Sequence, residues 1–208
     1  MDANLENGRS RCIVGIDPGL QRTGYAIIHG GQSDLDVRLI EAGVVRITPK
    51  VPLEHRLIEL ESNLEAVFSA HNPRILACEQ LFAHYKHPRT AILMGHARGV
   101  VLALAARRNI SVVHIASTHA KRWLTGNGHA SKAQVQRAVA ATLRLPCLPE
   151  PHDVADAIAI ALSGLRAMAE RVAVETNRRI DVPGRSALRG GAVGGLTMGG
   201  RDTLGGRA

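Results

Sequence analysis

The stretch that most constrains the fold is Arg11–Tyr25, RCIVGIDPGLQRTGY. Its apolar run ends at Asp17 and is cut off by Pro18-Gly19. This reads as a buried strand with one carboxylate at its C-terminal tip. Strand side chains alternate, so Cys12, Val14 and Ile16 take one face and Ile13, Gly15 and Asp17 the other. Two readings of Asp17 stand at this point. It opens a turn ahead of Pro18, or it belongs to a site that offsets the cost of a buried charge with a partner or a cation.

A second apolar run, Arg74–Glu79 (RILACE), also ends in a carboxylate. Between the two runs, Thr23–His29 and Asp36–Ile47 read as strands, the latter bent at Gly43. Short turns join them to the first strand, which makes an antiparallel meander. Pro52–His71 follows with helical periodicity: Leu53, Leu57, Leu60, Leu64, Val67 and Phe68 form one stripe, and Asn72-Pro73 ends it. A strand entered from such a helix pairs parallel to the first. Parallel neighbours share a C-terminal edge, so Asp17 and Glu79 are expected side by side, where open α/β sheets bind ligands. Glu79 also admits a plainer reading, an acid favoured by the next helix dipole.

Leu81–Arg89 (LFAHYKHPR) is a polar loop with Phe82, Tyr85, Lys86 and Arg89. Aromatics are 2% of the chain, so two in one basic loop favour base stacking over a lid on the core. Pro88–Arg108 is a helix with Gly95, Ala97, Gly99, Ala103, Ala105 and Ala106, small enough to let the sheet or a second subunit approach closely. Ile110–Ile115 is a fifth strand, and Ser117 caps a short helix carrying Lys121 and Arg122. After the loop Thr125–Ala130, Ser131 caps a helix to Leu143 with Lys132 in its first turn. A cation there opposes the helix dipole. Lys132 is either simply solvated or serves a group outside its helix, such as a phosphate.

A proline-rich linker, Leu145–Pro151, leads to the last helix, His152–Arg171, apolar from Ala157 to Leu165. Asp153 and Asp156 lie three apart in its first turn, on one face. Either both answer the helix dipole, or they join Asp17 and Glu79. Like charges about 4 Å apart repel by ~4 kcal/mol at an effective dielectric near 20. Four such acids need cations between them, and an all-oxygen donor set selects Mg²⁺ or Mn²⁺.

The chain has 208 residues, 45% of them hydrophobic, enough for one core. We expect a loose arm over residues 1–10, one domain over 11–174, and a disordered tail over 175–208, where nine of the 21 glycines mix with arginines. The net charge of +8 favours a polyanionic partner. Three scattered cysteines form no zinc pattern and fit a reducing compartment. No apolar run reaches the ~18 residues of a membrane span, and Met1–Arg11 lacks a secretory core. A cytoplasmic location is expected.

Five segments in order, GIDPG at Gly15, CEQLF at Cys78, GHARG at Gly95, SKAQVQ at Ser131 and DVADAIAIA at Asp153, resemble the RuvC family of Holliday-junction resolvases. The resemblance covers Arg11 to Leu165. It implies an RNase H-like α/β fold, a mixed five-stranded sheet flanked by helices, and a homodimer. It implies Asp17, Glu79, Asp153 and Asp156 as catalytic acids holding two Mg²⁺ per subunit, with Mn²⁺ a substitute. Phe82 matches an aromatic used near the junction centre, and Lys121 and Lys132 match DNA-handling bases. The implied reaction is paired nicking of four-way DNA by two-metal hydrolysis, leaving 5′ phosphate and 3′ hydroxyl ends, with RuvA- and RuvB-type branch-migration proteins as partners. The loop after Phe82 is slightly longer than the common form, with His84, Tyr85 and His87 in it, and the Gly/Arg-rich tail has no counterpart. Two other classes remain open: an RNase H-like nuclease acting on structured RNA, and a DNA-binding protein with a decayed site. A sugar-kinase-like ATPase would need a longer chain and a second glycine turn.

Overall fold

A computed structural model describes residues 11–30, 36–81 and 88–180. Five strands form one sheet: β1 (Arg11–Asp17), β2 (Arg22–Gly30), β3 (Val37–Arg46), β4 (Ile75–Glu79) and β5 (Ser111–Ile115). Their order is β3-β2-β1-β4-β5. β1, β2 and β3 pair antiparallel, while β4 runs parallel to β1 and β5 parallel to β4. The helices are α1 (Leu53–His71), α2 (Pro88–Arg107), α3 (Ser117–Thr125), α4 (Lys132–Leu143) and α5 (His152–Ile180). The chain divides into Met1–Arg171 and Val172–Ala208, and the sheet and both cores lie in the first unit.

The period of two in β1 sorts its residues onto two cores. Cys12, Val14 and Ile16 meet Leu60, Leu64 and Phe68 of α1 and Ala97, Val101 and Leu104 of α2. Ile13 faces the opposite layer, with Ala77 of β4, Val135 and Val139 of α4, and Ala157, Ile158, Ala161 and Leu165 of α5. Phe68 is fully buried, a core residue as its stripe predicts. The small residues of α2 split: Ala97 and Ala105 are buried against the sheet, while Gly95, Gly99, Ala103 and Ala106 are exposed.

Several local expectations are corrected. β3 has its irregularity opposite Ile27/Ile28, where Ile27 pairs with Glu41 and Ile28 with Leu39, leaving Ile40 as the extra residue. Gly43 is needed for another reason: a Cβ there would meet the Tyr25 hydroxyl at 2.9 Å. Ala116, not Ser117, is the N-cap of α3. Ser131 does cap α4, in a reciprocal capping box with Gln134. α5 continues past Arg171 to Ile180, so residues 175–180, expected in the tail, are helical. The arm and the tail from residue 181 lie outside the described residues.

α5 is apolar along most of one turn after another, but its seat on the sheet depends on missing side chains. A Cβ on Gly15 would meet the Ala157 carbonyl oxygen at 2.4 Å and the Ala161 Cβ at 2.6 Å. A Cβ on Gly164 of α5 would meet the Ala77 Cβ at 2.5 Å. Gly15→Ala is therefore expected to cost about 1–3 kcal/mol through overpacking against backbone. Thermal unfolding checks this, with a fall of roughly 2–4 °C per kcal/mol for a chain of this size.

Candidate active site

Asp17 ends β1 and Glu79 ends β4. Their register runs from Ile13 beside Ile75 to Ile16 beside Cys78, so the next step places Asp17 beside Glu79. By alternation both carboxylates project on the Ile13/Ala77 face, the side that α5 covers. Across the hairpin, Asp17 is opposite Gly24. A Cβ on Gly24 would lie 2.2 Å from the Asp153 carbonyl oxygen. The first turn of α5 thus rests on the strand next to Asp17, and it brings Asp153 and Asp156 with it.

The start of α5 is held from behind. Gln136 of α4 is buried and donates from Nε2 to the Pro149 carbonyl at 2.9 Å. That bond anchors the proline-rich linker just before the helix begins.

The electrostatics report the convergence. The Asp17 carboxyl is raised well above its ordinary value of 3.8, first by burial, then by a side-chain hydrogen bond with Glu79 and by the charges of Glu79, Asp156 and Asp153. Asp156 is also raised, chiefly by burial; Lys121 and Lys132 pull it down, and Glu79 and Asp153 push it up. Lys132, misplaced for its own helix, has Asp156 as its electrostatic counterpart.

The sequence reading missed Arg22. At the start of β2, its Nη1 lies 3.8 Å from Asp153 Oδ2, with side chains 55% and 27% exposed. Exposed pairs of this kind contribute little stability, but this one places a cation at the rim of the acid cluster. The hairpin spacing, with Asp17 opposite Gly24, was the available signal. Arg89 is the second residue of α2 and is exposed. Phe82, Tyr85 and Lys86 lie outside the described residues.

Among the described residues, no three carboxylate, imidazole or thiol side chains close into a cage around one ion. The acids gather at one edge of the sheet, where β1, β4 and the first turn of α5 meet. The donor set nonetheless fits a hard divalent ion: every group is an oxygen, two are raised by burial, and two lysines only partly offset the charge.

A mixed sheet with acids at the tips of its central parallel strands, covered there by a helix that adds two more, defines an RNase H-like fold with a nuclease-type acidic site. The family model for crossover junction endodeoxyribonuclease RuvC matches residues 13–164. The chain is 50% identical over 157 residues to crossover junction endodeoxyribonuclease RuvC of Rhodopirellula baltica, covering 76% of this chain and 87% of that one. It is 38% identical over 150 residues to the RuvC of Thermomicrobium roseum, covering 72% and 90%. Among solved structures, T. thermophilus RuvC in complex with Holliday junction substrate superposes with a TM-score of 0.69 at 30% identity, over 76% of this chain and 96% of that one. The chain belongs to the RuvC family.

The raised acid carries a stability signature. Because the folded Asp17 holds its proton to higher pH than the unfolded one, the native state binds more protons between the two values. Stability then falls as pH rises from near 3.8 through the raised folded value. In EDTA, Asp17→Asn is expected to melt higher than the parent, with a gap that widens as pH rises from near 3.8 toward the raised folded value. Calorimetry across that range checks it; a constant gap would refute the burial assignment.

Proposed function

We propose that this chain resolves four-way DNA junctions, cutting two opposed strands to leave 5′ phosphate and 3′ hydroxyl ends. The observation that carries this reading is the convergence of acids at one sheet edge: strand register sets Asp17 beside Glu79, and the first turn of α5, which bears Asp153 and Asp156, packs against Gly24 opposite Asp17. In a family of crossover junction endodeoxyribonucleases, such a cluster is the place for phosphodiester hydrolysis.

The nuclease domain is residues 11–174. Asp17, Glu79, Asp153 and Asp156 hold two Mg²⁺ ions per subunit, with Mn²⁺ an effective substitute. When bound, such ions supply the charge that activates a water and steadies the leaving 3′ oxygen. The protein's part is to keep four carboxylates together and aimed at one edge. Asp17 and Asp156 are half-buried, so water screens their pull on a cation less than it would at an open surface. Lys121, half-buried on α3, and Lys132, exposed at the start of α4, lie within electrostatic reach of Asp156. They bind phosphates flanking the scissile bond, and their charge keeps Asp156 from titrating higher. Phe82, Tyr85, Lys86 and Arg89 contact the junction.

A four-way junction has two-fold symmetry, and a homodimer related by the same axis presents two such sites to opposed strands. The net charge of +8 suits the phosphate-dense centre of that substrate. RuvA- and RuvB-type proteins are its branch-migration partners. Among the described residues, no helix is long and apolar enough to cross a membrane, and the work is done in the cytoplasm.

On a synthetic four-way junction, Asp17→Asn is expected to abolish Mg²⁺-dependent nicking while leaving junction binding in place, as read by denaturing and native gels. Nicking by this variant at the parent's rate would remove the assignment. Lys132→Ala should weaken junction binding and lower the salt slope by about 1, as loss of one phosphate contact does. Titrating affinity against salt measures it.

A further inference from the structure

The tip of β4 has an unusual backbone arrangement. The Gln80 N–H donates to the Ile115 carbonyl on the β5 side, at 2.8 Å. Because strand amides alternate in direction, the Glu79 carbonyl points the opposite way, toward β1. In the β1·β4 register, with Ile16 beside Cys78, the next donor on that side is residue 18. Residue 18 is a proline and has no N–H. The ladder therefore loses a bond at the very residue whose side chain enters the acid cluster.

Arg98 of α2 supplies the missing donor. Its Nε–H donates to the Glu79 carbonyl at 3.0 Å. The Cys78 thiol also reaches that oxygen, at 3.7 Å, but a thiol is a weak donor. The Arg98 guanidinium is itself oriented. Nη2 lies 2.8 Å from His114 Nδ1, and since arginine only donates, that nitrogen is the acceptor and the imidazole proton sits on Nε2. His114 is the register partner of Cys78 on β5. Arg98 thus reaches from beneath the sheet, half-buried, and ties the ends of β4 and β5 together on the face opposite the acids.

We propose that Arg98 is a positioning residue for Glu79. It replaces the ladder bond that Pro18 removes and fixes the backbone from which the metal-binding carboxylate projects. This rests on the reading of Glu79 as a metal ligand. Arg98 touches neither metal nor substrate. Its effect passes through one carbonyl, as partners one step behind a metal ligand do.

The test uses the full-length protein and two variants. Arg98→Met keeps an apolar stem without donors; Arg98→Lys keeps the charge and one route to the carbonyl. Mn²⁺ binding to metal-free protein, followed by electron paramagnetic resonance, should weaken roughly 10–100-fold in Arg98→Met and less in Arg98→Lys. The Mg²⁺ concentration for half-maximal nicking should rise by a similar factor, and saturating Mg²⁺ should restore the rate. Junction binding in EDTA should stay at the parent's level. Unchanged Mn²⁺ affinity would overturn the proposal, as would lost nicking that excess Mg²⁺ does not restore. If Arg98→Met does not fold by circular dichroism, Arg98→Lys carries the same comparison. A parent protein that binds Mn²⁺ yet leaves four-way junctions uncut would defeat the proposed function alone, since the Mn²⁺ comparison stands without it.

Discussion

The close seat of α5 on β1 and β2 is the constraint on which the site depends. Three glycines make it possible. Gly15 admits the helix backbone at Ala157, Gly24 admits the Asp153 carbonyl, and Gly164 lets the helix meet Ala77. Without a Cβ at these points, helix and sheet approach more closely than ordinary side chains allow. The consequence is chemical. Asp17 and Glu79 are already paired by strand register, and the approach of α5 adds two carboxylates to them.

That arrangement opposes itself electrostatically. Burial and mutual repulsion hold Asp17 and Asp156 above the usual carboxylate range. The surrounding positive groups only moderate the charge: Lys121 and Lys132 act on Asp156, and Arg22 sits 3.8 Å from Asp153. A core assembled for stability alone would not collect like charges at a sheet edge. Here the local cost sits beside a well-packed interior, with Ile13, Ile16, Leu76 and Phe68 all but fully buried, so the fold tolerates a site that is unfavourable until something binds there.

Backbone features around the edge serve the same end. Pro18 stops β1 at its acid, Gln136 holds the linker that starts α5, and Arg98 takes over the carbonyl that the proline leaves without a donor. On the far side of the sheet, the Tyr25 hydroxyl donates to Glu41 Oε1 at 2.6 Å, and His71 Nε2 meets Glu41 Oε2 at 2.7 Å, joining β2, β3 and the end of α1. The sheet is thereby tied at both its meander and its parallel half.

Most of the architecture was legible in the chain because it rests on short-range rules. Alternation assigned the faces of β1, helical period assigned the buried stripe of α1, and the long crossover implied parallel pairing of β1 with β4, hence Asp17 beside Glu79. The Ser131 cap was legible for the same reason, since a capping box closes within four residues. Other features were not local. The bulge at Ile40, the choice of Ala116 over Ser117 as a cap, and the extension of α5 to Ile180 follow from pairing and packing that residue order does not display. The same holds for Arg22 and Arg98, whose partners are an aspartate and a carbonyl from distant or unmarked parts of the chain. The sequence by itself determined which carboxylates exist and which strand ends carry them. Only the tertiary structure decided that glycine-sized gaps would let a helix deliver two more, because how close two surfaces come depends on both at once.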